Sequence, residues 1–253
     1  MIYMGNKRSL LKSILPYIQR CVDENGITEY FEPFVGGANV IDSIVCANRY
    51  GSDLNAELIE LLGYMRDNPT LPDFPDDCPF EHYADVRAAR KEKSGKYPPY
   101  YTAGIGYFAS YGGRYFDGGY GRDERGGRNI YNERLTYARN QAPSLKGIVF
   151  QSRSFNEISI PPNSFVYCDP PYIGTKQYTK VKFDYDAYYN WLREVSKTSF
   201  VLCSEFNMPP DFTVVWEKER KVMQKSGRTS GDVVVEKLFT LSGGKYHEWV
   251  SKA

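Results

Sequence analysis

The segment Ser164–Tyr172 constrains the fold of this 253-residue chain more than any other stretch. Its first five residues, Ser164–Cys168, form a short apolar run that predicts a buried strand. Asp169 and two prolines follow, and the prolines end the strand because neither can donate a hydrogen bond to a neighbouring strand. Asp169 is therefore expected at the carboxyl end of a buried strand, which is where open α/β sheets bind their ligands.

The four residues from Asp169 to Tyr172 read DPPY and suit chemistry on a planar exocyclic amine. Such an amine is a poor nucleophile because its lone pair is delocalised into the ring. Two acceptors that take both N–H bonds localise this lone pair, and the Asp169 carboxylate and the Pro170 carbonyl can supply them. Tyr172 offers a ring face to a flipped-out base. The alternative is a strand that merely ends in a proline turn, and chance gives this tetrapeptide in roughly one such chain in a thousand.

A second candidate binding segment, Phe31–Val40, reads FEPFVGGANV. It predicts a strand end followed by a turn at Gly36 and Gly37, where backbone can approach a ligand closely. The turn is expected to lead into a helix whose first N–H groups can bind an anion. The spacing differs from the GxGxxG dinucleotide fingerprint. The apolar residues expected on that helix are Ile41, Ile44 and Val45.

Asp53 follows the segment Tyr50-Gly51-Ser52 and precedes a predicted helix over Ala56–Met65. An acid at the end of the second strand is placed to bind ribose hydroxyls. The alternative role for Asp53 is that of a helix N-cap. Taken with the two glycines, Asp53 indicates a cofactor that contains a nucleoside.

The N-terminal segment Ile2–Lys7 reads IYMGNK and precedes a helix with apolar residues at helical spacing, for which Ser9 is a candidate N-cap. Gly5 permits a tight turn, which would place Tyr3 and Lys7 close to whatever that turn faces.

Composition is that of a soluble globular protein, with 42% hydrophobic and 25% charged residues. No 18-residue apolar stretch and no signal-peptide core are present, so a cytoplasmic location is expected. The cysteines are odd in number and include no CxxC pair, which predicts reduced thiols. With two histidines and no cysteine cluster, a zinc site is not expected. The five cysteines are Cys21, Cys46, Cys78, Cys168 and Cys203.

Charge is distributed unevenly along the chain. Residues Ala84–Arg153 hold 13 Lys and Arg but 6 Asp and Glu, a net charge of +7, whereas the remainder of the chain carries −6. A basic middle region in an otherwise acidic chain predicts a polyanion footprint. A solvated helix over Arg87–Lys96 is the alternative and would explain about half of the excess.

Within this basic region, Gly112–Asn129 reads GGRYFDGGYGRDERGGRN and is too rich in glycine for a regular element. Arginines interleaved with aromatics on a loop suit contact with phosphates and reading of base edges. The alternative is an adaptable surface loop. The residues expected to bind DNA are Arg114, Tyr115, Arg122, Arg125 and Arg128.

The C-terminal part predicts a polar candidate lid at Gly174–Lys182, followed by a helix over Asp184–Ser196. Four strands are predicted after this helix, and the last two are expected to form a hairpin across Gly243-Gly244. The predicted strands are Phe200–Cys203, Val214–Trp216, Val233–Leu241 and His247–Val250.

With IYMGNK, FEPFVGG, the DLN at Asp53 and DPPY in this order, the chain resembles the Dam-type, α-group DNA adenine methyltransferases. The match covers most of residues 1–62 and 148–210, and the middle region looks closer to phage-type members. The resemblance implies that S-adenosylmethionine is the cofactor and that Asp169, Pro170 and Tyr172 hold the target adenine. It implies that the cofactor contacts Tyr3, Lys7, Pro33, Phe34, Gly36, Gly37, Asp53 and Asp169.

The expected fold is an α/β, Rossmann-like methyltransferase core with a mixed, mostly parallel sheet. Residues 1–65 and 148–253 would form this core, and residues 66–147 a target-recognition insertion. The expected reaction is methyl transfer to the N6 amine of a flipped adenine in duplex DNA, without a metal or a membrane. A cognate restriction nuclease is a candidate partner, and a monomer is the expected state. The alternatives are methylation of cytosine or of an RNA base, and a catalytically silent DNA-binding relative.

Overall fold

The computed structural model describes residues 1, 3, 5, 7–121, 127–173, 183–221 and 233–252, without the side chains of residues 220 and 221. The candidate lid, Gly174–Lys182, therefore lies outside the described residues, as do Arg122 and Arg125. The described strands form a mixed, mostly parallel sheet of seven strands, accompanied by seven α-helices in that part of the chain. This architecture confirms the predicted Rossmann-like α/β class.

Contacts divide the chain into two compact units. The first comprises Met1–Arg20 and Val35–Arg153, and the second comprises Cys21–Phe34 and Ser154–Ala253. The division predicted from the sequence, a core interrupted by an insertion at residues 66–147, stays a prediction.

The first unit contains two parallel strands, β2 (Asn48–Asp53) and β3 (Ile148–Ser152), with Asp53 level with Ser152 at their carboxyl ends. Four helices between these strands lie wholly in this unit, and α1 (Leu11–Glu24) begins in it. The buried face of α1 carries apolar residues at helical spacing, as the sequence predicts. The four helices are α2 (Ala56–Asp67), α3 (Phe80–Glu92), α4 (Pro99–Ala109) and α5 (Ile130–Gln141).

The helix α4 forms the centre of this helical group and packs on α2, α3 and α5. Every residue from Thr102 to Ala109 is buried, as is typical of a helix covered on all sides. Proline stands at its first position, where a missing N–H costs nothing. The buried guanidinium of Arg134 donates to the carbonyls of Tyr107, Phe108 and Ser110, which closes the carboxyl end of α4.

The second unit contains five strands in the order β1-β4-β5-β7-β6. The first three strands are parallel and the last two antiparallel to their neighbours. Every residue of β4 and β5 is buried, which fits the apolar runs Phe165–Cys168 and Phe200–Cys203. The strands are β1 (Glu29–Glu32), β4 (Phe165–Cys168), β5 (Phe200–Glu205), β6 (Phe212–Lys221) and β7 (Val233–Leu241). The helix α6 (Tyr185–Val195) begins at the cap Asp184, close to its predicted start.

The predicted strand over His247–Val250 is wrong, and so is its hairpin with Val233–Leu241. Residues Lys245–Val250 form the short helix α7, and β7 pairs instead with β6. The chain leaves β7 through a turn in which Gly243 has a φ of +74°. Tyr246, Trp249 and Val250 then recur at helical spacing, and this period overrides the β-branched and aromatic composition.

The predicted helix carrying Ile41, Ile44 and Val45 is also wrong, because only a single 3₁₀ turn forms at Ile41–Ser43. Ile44 is extended, with a ψ of 132°. The side-chain amide of Gln19 then donates to the carbonyl of Val45 and accepts from its N–H, both at 2.9 Å, so that backbone cannot continue a helix. The β-branched residues at this point favour the same outcome.

The five cysteines are free thiols, and all but Cys46 are buried. No described helix is both long and apolar enough to cross a membrane. Among the described residues, no cluster of three or more His, Cys, Asp or Glu side chains has the arrangement of a metal site.

Candidate active site

The glycine segment of the first unit forms a tight turn in which Gly36 and Ala38 have φ values of +47° and +55°. Gly37, which lies between them, is buried. A methyl group on Gly37 would lie 2.6 Å from the Asn39 Nδ2 atom and 2.7 Å from the Tyr3 Cβ atom. The turn is thus packed beneath Tyr3, and a side chain at Gly37 would displace both neighbours.

Asp53 lies at the carboxyl end of β2 and holds this turn in place. Its Oδ2 atom accepts from the N–H of Gly36 at 3.2 Å, and its Oδ1 atom accepts from the N–H of Asn55 at 2.9 Å. Asn55, rather than Asp53, is the N-cap of α2, because its side chain accepts from the N–H of Leu58 at 3.1 Å. Burial raises the pKa of Asp53 above its ordinary value, and the backbone donors only partly oppose this rise.

Tyr3 and Lys7 belong to the same unit as Asp53. The Tyr3 ring packs on that of Tyr107 in α4, with 5.7 Å between the ring centroids. The Tyr107 hydroxyl in turn accepts from the side chain of Asn55 at 2.9 Å. Lys7 is buried, and its ammonium lies 3.4 Å from the carbonyl of Gly5. Tyr107 of α4 therefore contacts both Tyr3 of the N-terminal segment and Asn55 after β2.

The structure adds one residue to the surroundings of the glycine turn that the sequence did not single out. The Gln141 amide, at the end of α5, lies 3.0 Å from the carbonyls of Gly37 and Ala38 and 2.9 Å from the carboxylate of Asp42. Arg8 binds the same carboxylate through both of its oxygens, at 3.0 and 2.9 Å. A glutamine 104 positions from Gly37 leaves no local sequence signal, so only the folded chain reveals this support.

The packing of Gly37 leads to a first prediction. If the turn binds the cofactor, as the resemblance implies, Gly37→Ala should lower cofactor affinity by about 10-fold or more, because the added methyl must push Tyr3 or Asn39 out of place. Titration calorimetry with the cofactor would measure this loss. The matched control is Gly63→Ala in α2, where a methyl meets no atom within 4 Å. It should leave affinity unchanged and raise stability by up to ~1 kcal/mol. Equal affinity of the two variants would contradict the role of the turn.

The DPPY segment lies in the second unit, directly after β4. Asp169 is half-buried, between the buried residues Cys168 and Pro170. Burial raises the pKa of the Cys168 thiol, which makes it a poor nucleophile. The carbonyl of Pro171 accepts from the hydroxyl of Tyr185 at 2.9 Å. The acid is thus presented at the end of a fully packed strand, as the sequence predicts.

Tyr172 is 9% exposed, so its ring is part of a packed wall. Its hydroxyl donates to the Oε2 atom of Glu236 in β7 at 3.0 Å. Its ring meets that of Phe206 edge to face, with 4.6 Å between centroids and 87° between planes. Burial and the neighbouring carboxylates of Asp169 and Glu236 raise the pKa of Tyr172, so the hydroxyl stays protonated and remains a donor. Because little of this residue is exposed, a base can stack on the ring only if residues packed against it move.

Pro33 and Phe34 also fall in the second unit. Pro33 is buried just beyond β1, whereas Phe34 is half-buried within a cluster of aromatic rings. Its ring lies 5.5 Å from that of Tyr188 and 5.8 Å from those of Phe155 and Phe183, measured between centroids. This packing gives Phe34 a role in fixing the segment after β1.

The residues expected to bind DNA differ in their surroundings. Arg114 is exposed and makes no side-chain hydrogen bond or ion pair with the described residues. Tyr115 lies inward, where its hydroxyl donates to Glu57 at 2.6 Å and the Arg90 guanidinium lies 4.8 Å from its ring centroid. Arg128 forms two hydrogen bonds to the carboxylate of Glu133, at 2.9 and 2.6 Å. Of these three, Arg114 is best placed to bind a phosphate or base.

Part of the basic excess between Ala84 and Arg153 is neutralised by acids from outside this segment. Four of its cations form ion pairs at 2.6–2.8 Å, but two of the partner acids lie inside the segment and are already counted in its net charge of +7. Arg134 is buried on backbone carbonyls. The DNA footprint expected from charge is therefore smaller than the count of +7 implies. The four pairs are Arg90–Glu57, Lys96–Asp85, Arg128–Glu133 and Arg139–Asp76.

Comparison with known proteins identifies the family. Residues 3–199, more than three quarters of the chain, match the D12 class N6 adenine-specific DNA methyltransferases. The chain belongs to this family. The resemblance to Dam-type enzymes that the motifs indicate is thereby confirmed, and the methyltransferase carries its DPPY segment within the matched region.

The methyltransferase is also similar to a second protein, over most of its length. The type II methyltransferase M1.LlaDCHI of Lactococcus lactis subsp. cremoris is 27% identical over 238 residues, which cover 82% of this chain and 80% of the relative. The similarity therefore extends over most of both chains, not only over the short motifs.

Proposed function

We propose that the methyltransferase transfers a methyl group from S-adenosylmethionine to the N6 amine of an adenine flipped out of duplex DNA. The observation that supports this most directly is Asp169, half-buried at the carboxyl end of the fully buried strand β4 and followed by the buried Pro170. A carboxylate and a proline carbonyl in sequence are two acceptors for one amine.

In this proposal Asp169 and the Pro170 carbonyl accept the two N–H bonds of the amine and localise its lone pair. Tyr172 supplies the ring against which the adenine is held. The target amine is inaccessible inside a duplex, so the base must leave the stack before it can reach these groups. Asp169 can also take up the proton that the amine loses, directly or through water.

The first unit fits a nucleoside-containing methyl donor. Asp53 presents a carboxylate at the end of β2, as required for ribose hydroxyls, and Gly36 and Gly37 keep the adjacent turn free of side chains. When bound, the cofactor supplies a sulfonium-activated methyl group. The set of residues proposed to contact the cofactor is completed by Tyr3, Lys7, Pro33, Phe34 and Asp169.

A methyl-transfer assay tests the proposal. The purified enzyme, radiolabelled S-adenosylmethionine and unmethylated duplex DNA should yield labelled N6-methyladenine, and long-read sequencing should place it in one sequence motif. Label on cytosine or on RNA would support the alternative amines. Binding of DNA and cofactor without transfer would support a silent relative.

We also propose that the enzyme protects DNA against a cognate nuclease, because the relative M1.LlaDCHI is named as a type II methyltransferase. Such an enzyme acts on cytoplasmic DNA and is expected to work as a monomer. DNA from expressing cells should then resist a nuclease that cuts the same motif when it is unmethylated. Light scattering of the purified enzyme should give the mass of one chain.

Arg114, the exposed arginine of the glycine-rich segment Gly112–Asn129, leads to a second prediction. Arg114→Ala should weaken discrimination at one base pair by ~1–3 kcal/mol if its guanidinium reads a guanine edge. If it binds phosphate instead, affinity should fall evenly across sequences and the salt dependence should become shallower. Methylation mapping and DNA binding at two salt concentrations distinguish these results.

Arg128→Ala is the matched comparison for Arg114→Ala. Because Arg128 is already paired with Glu133, its loss should affect DNA binding less. A larger effect for Arg128 than for Arg114 would show that the ion pair opens on DNA. Arg122 and Arg125 remain predicted DNA contacts, and the same assay applies to them.

A further inference from the structure

We propose that Glu236 is a positioning residue for the methyl-transfer reaction, acting through the hydroxyl of Tyr172. This inference rests on the proposed function of Tyr172 as the ring that holds the target adenine. Glu236 lies beyond the family match at residues 3–199, and it is 64 positions from Tyr172 along the chain.

The position of Glu236 in β7 is unusual for a charged residue. Val234, Glu236 and Leu238 alternate along one face of this strand, and all three are buried. Glu236 is only 5% exposed. A carboxylate on the apolar face of a strand is costly unless it is hydrogen-bonded. Here the Tyr172 hydroxyl, whose pKa is raised by burial and neighbouring carboxylates, is protonated and donates to Glu236 at 3.0 Å.

The geometry of a tyrosine explains what this hydrogen bond can fix. The hydroxyl lies on the axis about which the ring rotates, so a bond to it fixes the position of the ring tip but not the plane of the ring. The plane is fixed by the edge-to-face contact with Phe206, at 4.6 Å and 87°. Glu236 and Phe206 together fix the orientation of the Tyr172 ring, and this orientation sets that of a base stacked on the ring.

A double-mutant cycle tests the role of Glu236. Tyr172→Phe and Glu236→Leu should each lower kcat by ~10-fold and leave the KM for the cofactor unchanged, because misplacement of a substrate costs rate. The double variant should also lose ~10-fold and not ~100-fold, because both changes remove one interaction. Glu236→Gln keeps an acceptor oxygen and should stay within ~3-fold of the wild type.

The fluorescence of a base analogue at the target position distinguishes a role of Glu236 in positioning the base from a role in protein stability. With 2-aminopurine at the target position of duplex DNA, Tyr172→Phe and Glu236→Leu should change the fluorescence of the enzyme–DNA complex alike. The matched control is Tyr30→Phe, which removes another buried tyrosine-to-carboxylate hydrogen bond, to Glu32 at 2.7 Å. It should lower the melting temperature without changing the fluorescence.

Three results would overturn the proposal: single effects that multiply in the double variant, Tyr172→Phe at the wild-type rate, or Glu236→Gln as slow as Glu236→Leu. If Glu236→Leu does not fold, the Tyr172→Phe and Glu236→Gln results decide alone. The proposed function fails separately, if the wild-type enzyme labels no adenine. A wild-type enzyme that methylates adenine while these variants match it would leave the function intact and remove only Glu236 from it.

Discussion

Asp169→Ala is expected to reduce the rate of methyl transfer by about 100-fold or more, because it removes one of two preorganised acceptors for the target amine. The protein should still fold. Asp169 is half-buried at the end of β4 and lies outside the fully buried segment Phe165–Cys168. Single-turnover transfer of a radiolabelled methyl group would measure the loss, and thermal unfolding would verify the fold.

Asp169→Asn is the matched variant for this prediction, since it keeps the size of the side chain and one acceptor oxygen. Its amide also brings two donors towards an amine that needs acceptors, so a loss of about 10-fold or more is expected. The stacking role proposed for Tyr172 should survive in both variants, and DNA binding should therefore change little. Turnover of Asp169→Ala near the wild-type rate would remove the carboxylate from the mechanism.

The sequence predicts the positions of the two carboxylates better than it predicts their surroundings. Asp53 is the last residue of β2, and Asp169 directly follows β4. β4 is signalled by the apolar run before the acid, whereas β2 reads NRYGSD and is signalled by the predicted helix that follows Asp53. Short-range patterns suffice here because the acid and the strand that presents it are adjacent in the chain. Whether Asp53 caps α2 could not be decided from the sequence, because Asn55 is an equally good cap two residues later.

The two wrong elements have different physical causes. Around Ile41–Val45, helical spacing of apolar residues predicts a helix, but Gln19 binds the backbone of Val45, and this tertiary contact outweighs the local preference. At Lys245–Val250, β-forming residues predict a strand, but the helical spacing of Tyr246, Trp249 and Val250 outweighs that weak β propensity.

Residues that support the site are the part that sequence reasoning missed. Gln141 contacts the glycine turn from more than 100 positions away, and Glu236 contacts Tyr172 from 64 positions away. Neither lies in a motif, and each is an ordinary polar residue when read in its own segment. Their roles depend on which side chains the fold brings together, which local periodicity does not encode.

Asp53→Ala is expected to weaken cofactor binding by 1.5–3 kcal/mol, or about 10- to 150-fold, through loss of a charge-assisted hydrogen bond to the ribose. The change should affect chemistry at saturating cofactor much less. The alanine also frees the N–H groups of Gly36 and Asn55, which now bind the carboxylate at 3.2 and 2.9 Å. Part of the loss could therefore come from the turn and not from the ribose, and the alanine variant alone does not separate them.

Asp53→Asn and the pH dependence of binding separate these two contributions. Asparagine keeps one oxygen for the turn but loses the charge, so a loss between wild type and Asp53→Ala indicates that the charge itself binds the cofactor. Burial raises the pKa of Asp53. The proposed charge-assisted hydrogen bond to the ribose needs the ionised form. Affinity should therefore weaken as the pH falls through this raised pKa, at a higher pH than for an ordinary aspartate. Calorimetry should show that weakening in the wild type and not in Asp53→Asn. Equal affinities of wild type and both variants would reduce Asp53 to a residue that organises the turn, and the ribose would have to be bound elsewhere.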